Sequence, residues 1–427
     1  MTRVLLACWP FEGHVFPQMS MAIALRERGN EVAFYTDGSQ RELIEGQGFD
    51  VFPFRRIAPV WQRVHGRDRG TGSRREGLQL LRAARDWIVG SIPDQVADLQ
   101  DVIRRWRPDA IGSEASMWGP LVVLSELGPV PVGLVSPLIG AQVPRTSDSP
   151  TRRLGARARA LATLPMRRRL DAIRARYGLS PMGCSVSEHF GRLPLYLVLS
   201  VPELDGRRRD LPPSIHYVGA CQWHPPEPAG TVEWLAGLPR GRPWVHVTEG
   251  TSRFQEHFLL EAAAHGLANG PMEVVVTTGR GLGAREAGLV PASNVHLKDW
   301  LSHDVLLPQC AAVVTTGGMG TIMAALRAGV PLVVVPTGWD KPANARRVAA
   351  AGVGVQLAPR KCTPEALRAA VNRVLDDRRY RRNALQAAEL LAAAPGPAGA
   401  AELIEQLAAG SRARTAPDST SAERSMT

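Results

Sequence analysis

Short runs of uninterrupted apolar residues alternate along this chain with longer stretches in which apolar side chains recur at helical spacing. In the first half the runs are Arg3 to Cys8, Glu31 to Tyr35, Asp109 to Gly112, Val130 to Val135 and Leu195 to Ser200. In the second half they are Trp244 to Thr248, Glu273 to Thr277, Val295 to Leu297, Ala311 to Thr315 and Leu332 to Val335. Continuous rather than alternating hydrophobicity is the pattern of strands buried on both faces of a parallel sheet. Helical periodicity fills the gaps. One helix is expected to about Arg28, with Pro17 in its first turn and Gly29 closing it. Leu78 to Trp106 reads as helix broken near Pro93, a basic stretch to about Tyr177 as another, and Gln255 to Leu267 as a third.

Two successive βα arrays imply an α/β protein of two doubly wound domains with a cleft between them. Leu195 to Ser200 is expected to be the last strand of the first. A linker is expected where Pro212, Pro213, Pro225, Pro226 and Pro228 concentrate. A helix over Ala400 to Leu407 and a polar, disordered tail over Ser411 to Thr427 complete the reading. Arg55 to Gly77, rich in Arg and Gly, reads as a mobile surface loop.

A chain of 427 residues is too long for one ordinary core, which agrees with two domains. No run reaches the roughly 18 apolar residues of a membrane-spanning helix. The apolar opening stops at Pro10 and Glu12, too soon for a signal peptide, so a cytoplasmic location is expected. Five scattered cysteines without a C-x-x-C pair suggest neither zinc nor disulfides. The formal charge of +11 invites a nucleic-acid reading until it is located. Between Arg145 and Arg176 ten arginines face only Asp148 and Asp171, a local balance of +8. That segment lacks interleaved aromatics, and a solvated or acceptor-side helical face is expected instead of a nucleic-acid partner.

Chemistry concentrates from Trp300 to Asn344. Gly317, Gly318 and Gly320 crowd a turn between the strand ending at Thr315 and a helix carrying Ile322, Ala325 and Leu326. Such a turn either packs tightly because its residues are small, or lets backbone N–H groups and a helix dipole receive phosphate. The loop Thr337 to Asn344 places Trp339, Asp340, Lys341 and Asn344 past the next strand, where ligands of open parallel sheets bind. The conjunction favours a phosphorylated, hydroxyl-rich ligand.

The first βα loop, Trp9 to His14, lacks the G-x-G-x-x-G of a dinucleotide site, which disfavours a dehydrogenase. His14 there is either a capping or packing residue, or a base able to accept a hydroxyl proton. An imidazole needs a carboxylate behind it for that work. Glu114 is the best available partner, or else an exposed loop carboxylate.

These residues resemble a known family. Gly13-His14-Val15-Phe16-Pro17 is similar to a G-H-x-x-P motif, Pro108-Asp109 to Trp118 to an acceptor-side loop, and Val313 to Val348 to a donor box. The chain resembles GT-B glycosyltransferases that modify actinobacterial natural products. The likeness implies an acceptor-binding Rossmann-like domain over 1–205, a linker over 206–230, a nucleotide-sugar domain over 231–397, and a C-terminal helix and tail over 398–427. It implies His14 as general base with Glu114 orienting it. Trp300 would stack on the nucleobase with Leu301 beside it, Gly250 and Thr251 would meet the diphosphate, and Thr316, Gly317, Gly318, Met319, Gly320 and Thr321 would line its site. Trp339 and Lys341 would flank Asp340, which would bind sugar hydroxyls.

Relative to the family pattern, Thr316 replaces a phosphate-binding His, Ala324 a ribose-binding Glu, Lys341 a Gln, and Ser302-His303 a Pro-Gln pair. Lys341 is expected beside the sugar. The resemblance implies inverting transfer, no metal and no cofactor, a UDP- or dTDP-linked sugar as co-substrate, a small-molecule acceptor, and a monomer or homodimer. Rival readings are a catalytically impaired auxiliary protein that only binds nucleotide sugar, a sugar-nucleotide epimerase, and a glycosyltransferase for a lipid acceptor. The acceptor is expected to meet loops around Trp61 and Trp87 and the stretch Ser136 to Val143.

Overall fold

The structure, a computed structural model, describes residues 1–58, 82–83, 85–145, 150–250, 258–279 and 292–415. Trp61, most of the Arg55 to Gly77 loop, Thr251 and residues 416–427 lie outside them.

Seven strands form the first sheet: β1 (Arg3–Ala7), β2 (Glu31–Thr36), β3 (Asp50–Pro53), β4 (Ala110–Glu114), β5 (Val132–Ser136), β6 (Leu195–Val198) and β7 (Ile215–Tyr217). All are parallel, in the order β3-β2-β1-β4-β5-β6-β7. Six more form the second: β8 (Trp244–Thr248), β9 (Glu273–Thr277), β10 (Val295–Lys298), β11 (Cys310–Thr315), β12 (Leu332–Val334) and β13 (Gly354–Gln356). They are also parallel, in the order β10-β9-β8-β11-β12-β13. Each sheet winds outward from its first strand in both directions, so each has a switch point, between β1 and β4 and between β8 and β11. Ligands of such sheets bind beyond the carboxyl ends of the strands at that point.

Helices cover both faces of each sheet, which is why the strands are apolar throughout. Val4 and Leu6 of β1 join Met19 and Leu25 of the following helix in one core layer, while Leu5 and Ala7 join Val96 and Leu99 on the other face. In the second sheet Val313 packs with Ile322 and Leu326, and Val314 with Leu259 and Leu367.

Several elements depart from expectation. The first helix runs Glu12–Glu27, so it starts earlier and holds Pro17 in its interior. Phe11 is extended at the cap and Glu12 supplies an acid to the first turn, where the dipole favours it. His14 is therefore a first-turn helical residue rather than a loop residue. Strand β4 extends through Glu114, which is buried at 2% exposure rather than lying on an exposed loop. Leu195 to Ser200 does not end the first sheet: β7, from within the proline-rich stretch, adds an edge strand beside β6. Strand β7 is only three residues long and half-buried, with His216 at its centre, so it is set by pairing with β6 and not by an apolar run of its own.

The last helix, Gly396–Thr415, returns to the first sheet. Ala400, Ala401 and Ile404 enter the core beside Val4 and Leu6, and Glu405 receives Arg28 Nη2 at 2.6 Å and Asn30 Nδ2 at 2.5 Å. Residues 411–415 are helical, where a disordered tail was expected. The basic stretch forms the helix Pro150–Ala175. Its Arg174 is not on a solvated face: it is buried, with Glu126 Oε2 at 2.7 Å and the Val122 carbonyl at 2.6 Å. Among the described residues no helix is long and apolar enough to cross a membrane.

Candidate active site

At the first switch point Ala7 of β1 is level with Ser113 of β4, so the residues that follow the two strands emerge side by side. His14 Nδ1 lies 2.6 Å from Glu114 Oε2, and Ser116 Oγ donates to Glu114 Oε1 at 2.6 Å. Sequence reasoning missed Ser116, because a lone serine carries no pattern. The turn that presents it is built by its neighbours: Met117 N–H donates to the Glu114 carbonyl at 3.1 Å and Trp9 Nε1–H to the Ser116 carbonyl at 3.2 Å.

A carboxylate only accepts, so Nδ1 carries the proton and Nε2 keeps its lone pair. The His14 side chain remains 29% exposed, so it is not sealed from solvent. Burial disfavours the imidazolium. The Glu114 charge and its hydrogen bond, with a smaller contribution from Asp340, outweigh this and hold the pKa above 6.5. Asp340 belongs to the second half of the chain, so the two halves meet electrostatically at His14.

At the second switch point Thr248 of β8 is level with Thr315 of β11. Gly250, in the left-handed region at φ 73°, donates to Thr248 Oγ1 at 3.2 Å. Thr316 Oγ donates to the Glu249 carbonyl at 2.9 Å, tying the two turns together. Gly317 sits at φ 93°, and Gly318 is the extended N-cap of the helix Met319–Arg327. The first N–H groups of that helix, from Met319, Gly320 and Thr321, have no carbonyl one turn earlier to receive them. They form an anion cradle. Gln222 Nε2 donates to the Gly320 carbonyl at 2.9 Å, so the chain that joins the sheets also braces this turn.

Gly317 is required twice over: its φ suits only glycine, and an added β-carbon would lie 2.8 Å from Val334 Cγ1. Gly317→Ala is expected to cost about 1–3 kcal/mol in urea unfolding. Gly318→Ala, with φ −62° and open space around it, is the matched control and is expected to stay within about 0.5 kcal/mol of wild type. Equal losses at the two positions would refute the strain argument.

The loop after β12 supplies the polar side chains. Asp340 stands at the N-cap position of the helix Lys341–Ala350, its carboxylate making no capping bond to the first turn. Asn344 Nδ2 donates both to Asp340 Oδ2 at 2.7 Å and to the Gly317 carbonyl at 3.1 Å, fixing the carboxylate against the turn. Lys341 is not open beside a sugar site; it is 5% exposed, and its ammonium donates to Thr316 Oγ at 3.1 Å. Burial pulls its pKa down to about 8, against the opposing charges of Asp340 and Glu249. Trp339, at φ 58° and 42% exposed, stands out toward solvent.

Trp300 and Leu301 follow β10 at the sheet edge. Trp300 N–H donates to Asp299 Oδ1 at 2.9 Å and Leu301 is buried. Ser302 N–H donates to Glu227 Oε1 at 3.0 Å. Phe16, one helical turn from Gly13, packs edge-on against Trp223 at 5.3 Å, which carries the His14 helix to the connecting chain.

Two parallel sheets wound in this order, each with its switch point facing the other half of the chain, make up the GT-B fold. Residues 264–407 match the family described as erythromycin biosynthesis protein CIII-like, C-terminal domain. Over 433 residues the chain is 31% identical to the 4'-demethylrebeccamycin synthase of Lentzea aerocolonigenes, covering 95% of this chain and 99% of that one. It belongs to the family of actinobacterial natural-product glycosyltransferases. The solved structure of the kitacinnamycin glycosyltransferase superposes with a TM-score of 0.74 at 23% identity, covering 95% of this chain and 99% of that one. That of a spinosyn rhamnosyltransferase complexed with thymidine diphosphate does so with 0.70 at 20% identity, covering 95% and 100%.

Proposed function

We propose that the enzyme moves a sugar from a nucleoside diphosphate sugar to a hydroxyl of a small-molecule natural product, with inversion at the anomeric carbon and without a metal. The observation that carries this is the His14–Glu114 pair, hydrogen-bonded at 2.6 Å and within electrostatic reach of Asp340 from the opposite sheet.

His14 Nε2 takes the acceptor proton as the acceptor oxygen bonds to the anomeric carbon, and the bond from that carbon to the diphosphate oxygen breaks in the same step. The base belongs to one half and the anion cradle to the other, so attack and departure occur on opposite faces of the sugar. Asp340, held by Asn344, is suited to sugar hydroxyls. The leaving diphosphate is met by the N–H groups after Gly318, the helix dipole and the Thr321 hydroxyl, while the buried Lys341 ammonium, held on Thr316, adds its charge from behind the turn. Trp300 and Leu301 are assigned to the nucleobase, and Gly250 and Thr251 to the diphosphate. Thymidine diphosphate is favoured over its uridine counterpart because a structural relative carries it.

In a thermal-shift panel, thymidine diphosphate is expected to raise the melting temperature, because a ligand that binds only the native state stabilises it. Purified enzyme alone should then transfer sugar from an α-linked thymidine diphosphate sugar and yield a β-linked product. An α-linked product would overturn inversion. Binding without transfer or hydrolysis unless a second protein is added would favour the auxiliary reading.

A further inference from the structure

We infer that Arg347 is a positioning residue: through Asp205 it holds the first-half segment 140–145 in register with the donor-side loop, so that a diphosphate in the glycine turn also tightens a segment overlapping the stretch Ser136 to Val143 assigned to the acceptor. The inference rests on the donor reading above.

The segment 140–145 follows β5, next to β4 and Glu114, and it is pinned from several directions. Ala141 N–H donates to Asp205 Oδ2 at 3.1 Å, Gln142 N–H to the Tyr196 hydroxyl oxygen at 2.8 Å, and Arg145 Nη2 to the Asp205 carbonyl at 2.7 Å. Tyr217 OH also donates to Asp205 Oδ2. Every one of these groups belongs to the first half of the chain. The remaining oxygen, Asp205 Oδ1, receives Arg347 Nε at 3.0 Å from the second half.

Asp205 is 3% exposed, so its charge is costly without that guanidinium. Arg347 lies on the helix Lys341–Ala350, which begins with Lys341 after Asp340 at the N-cap position. Six residues of α-helix span ~9 Å and move as one rod. Whatever seats Asp340, Lys341 and Asn344 against the glycine turn therefore also sets where Arg347 meets Asp205. Gly140 shows how close this contact is: a β-carbon there would collide with both Asp205 Oδ1 and Arg347 Nε. The coupling is carried by one shared carboxylate and one rigid helix, a physical connection and not only spatial proximity.

Hydrogen exchange with and without thymidine diphosphate tests this directly, since the Ala141 amide reports its own bond to Asp205. In the wild type the nucleotide is expected to protect 316–321, 340–347 and also 140–145. In Arg347→Met it should bind within about threefold of wild-type affinity and protect 316–321, yet leave 140–145 unchanged. Turnover should fall about tenfold with donor KM nearly constant, as expected when a transition-state interaction is lost, and Arg347→Lys should recover part of it. Gly140→Ala should uncouple the segments in the same way and serves if Arg347→Met does not fold. Protection at 316–321 without protection at 140–145 in the wild type would overturn the inference, as would unchanged coupling in Arg347→Met. Protection at neither segment would instead count against the donor reading.

Discussion

Replacing His14 by alanine is expected to lower kcat by about 10²–10⁴-fold, the range a positioned general base supplies. Donor binding should survive, because the donor-side charge acting on His14 is that of Asp340, and Asn344 fixes that carboxylate independently. Titration calorimetry with thymidine diphosphate should therefore give the wild-type affinity while single-turnover transfer collapses. The substitution leaves Glu114 buried at 2% exposure, with the Ser116 hydroxyl still donating to it but the imidazole N–H gone. A stability loss of roughly 1–3 kcal/mol should accompany it. Measuring turnover well below the melting transition separates the two effects. Transfer within about threefold of wild type would remove His14 from the proton path and leave its bond to Glu114 as a packing feature.

How much of this site could be read beforehand follows from how each part is encoded. The glycine turn was legible because a left-handed residue and a close approach demand glycine itself, as at Gly317. His14 and Glu114 were legible as a pair only through position after their strands, and the geometry then sharpened both: one is helical and the other buried within β4. Lys341 was located but its direction was not. A flexible ammonium near a cleft can face a ligand or fold back, and here the Thr316 hydroxyl takes it inward. Ser116 carried no signal because a lone serine has no pattern, and Glu249, Asp205 and Arg347 carried none because each acts through a partner far away in the chain.

The same distinction governs the fold. Strands buried on both faces announced themselves as apolar runs, and the two βα arrays followed from their alternation with helices. Strands β3, β7 and β13 were missed because they lie at or near the sheet edges, where Asp50, His216 and Gln356 are tolerated. An edge strand's place is decided by the neighbour it pairs with, not by its own composition. The closing helix was expected from its alanines and leucines. Its destination, back on the first sheet beside β1, depends on contacts spanning nearly the whole chain, such as Arg28 to Glu405.

Glu114→Gln provides the sharper test of the pair, because it keeps shape and removes charge. In the wild type burial lowers the His14 pKa, but the Glu114 charge and hydrogen bond, aided by Asp340, raise it above 6.5. The base must be neutral to accept a proton, so kcat/KM should rise with pH along a limb centred above that value. In Glu114→Gln burial remains while its main opponent is gone, and the limb should move below about 6.5. The plateau should nevertheless fall, by about 10²–10⁴-fold, since an amide can present its N–H₂ to Nδ1 and stabilise the wrong tautomer. Stability adds an independent sign. In the wild type the folded state holds the imidazole proton more tightly than the unfolded chain, so the pair's contribution is full below about pH 6.5 and is lost as pH rises through the raised pKa. In the variant the folded state holds it less tightly, and stability rises with pH below about 6.5. The gap between the two proteins should therefore narrow from acid to alkaline pH. A limb that stays in place would assign it to another group, and a gap constant with pH would show that Glu114 does not govern the charge on His14.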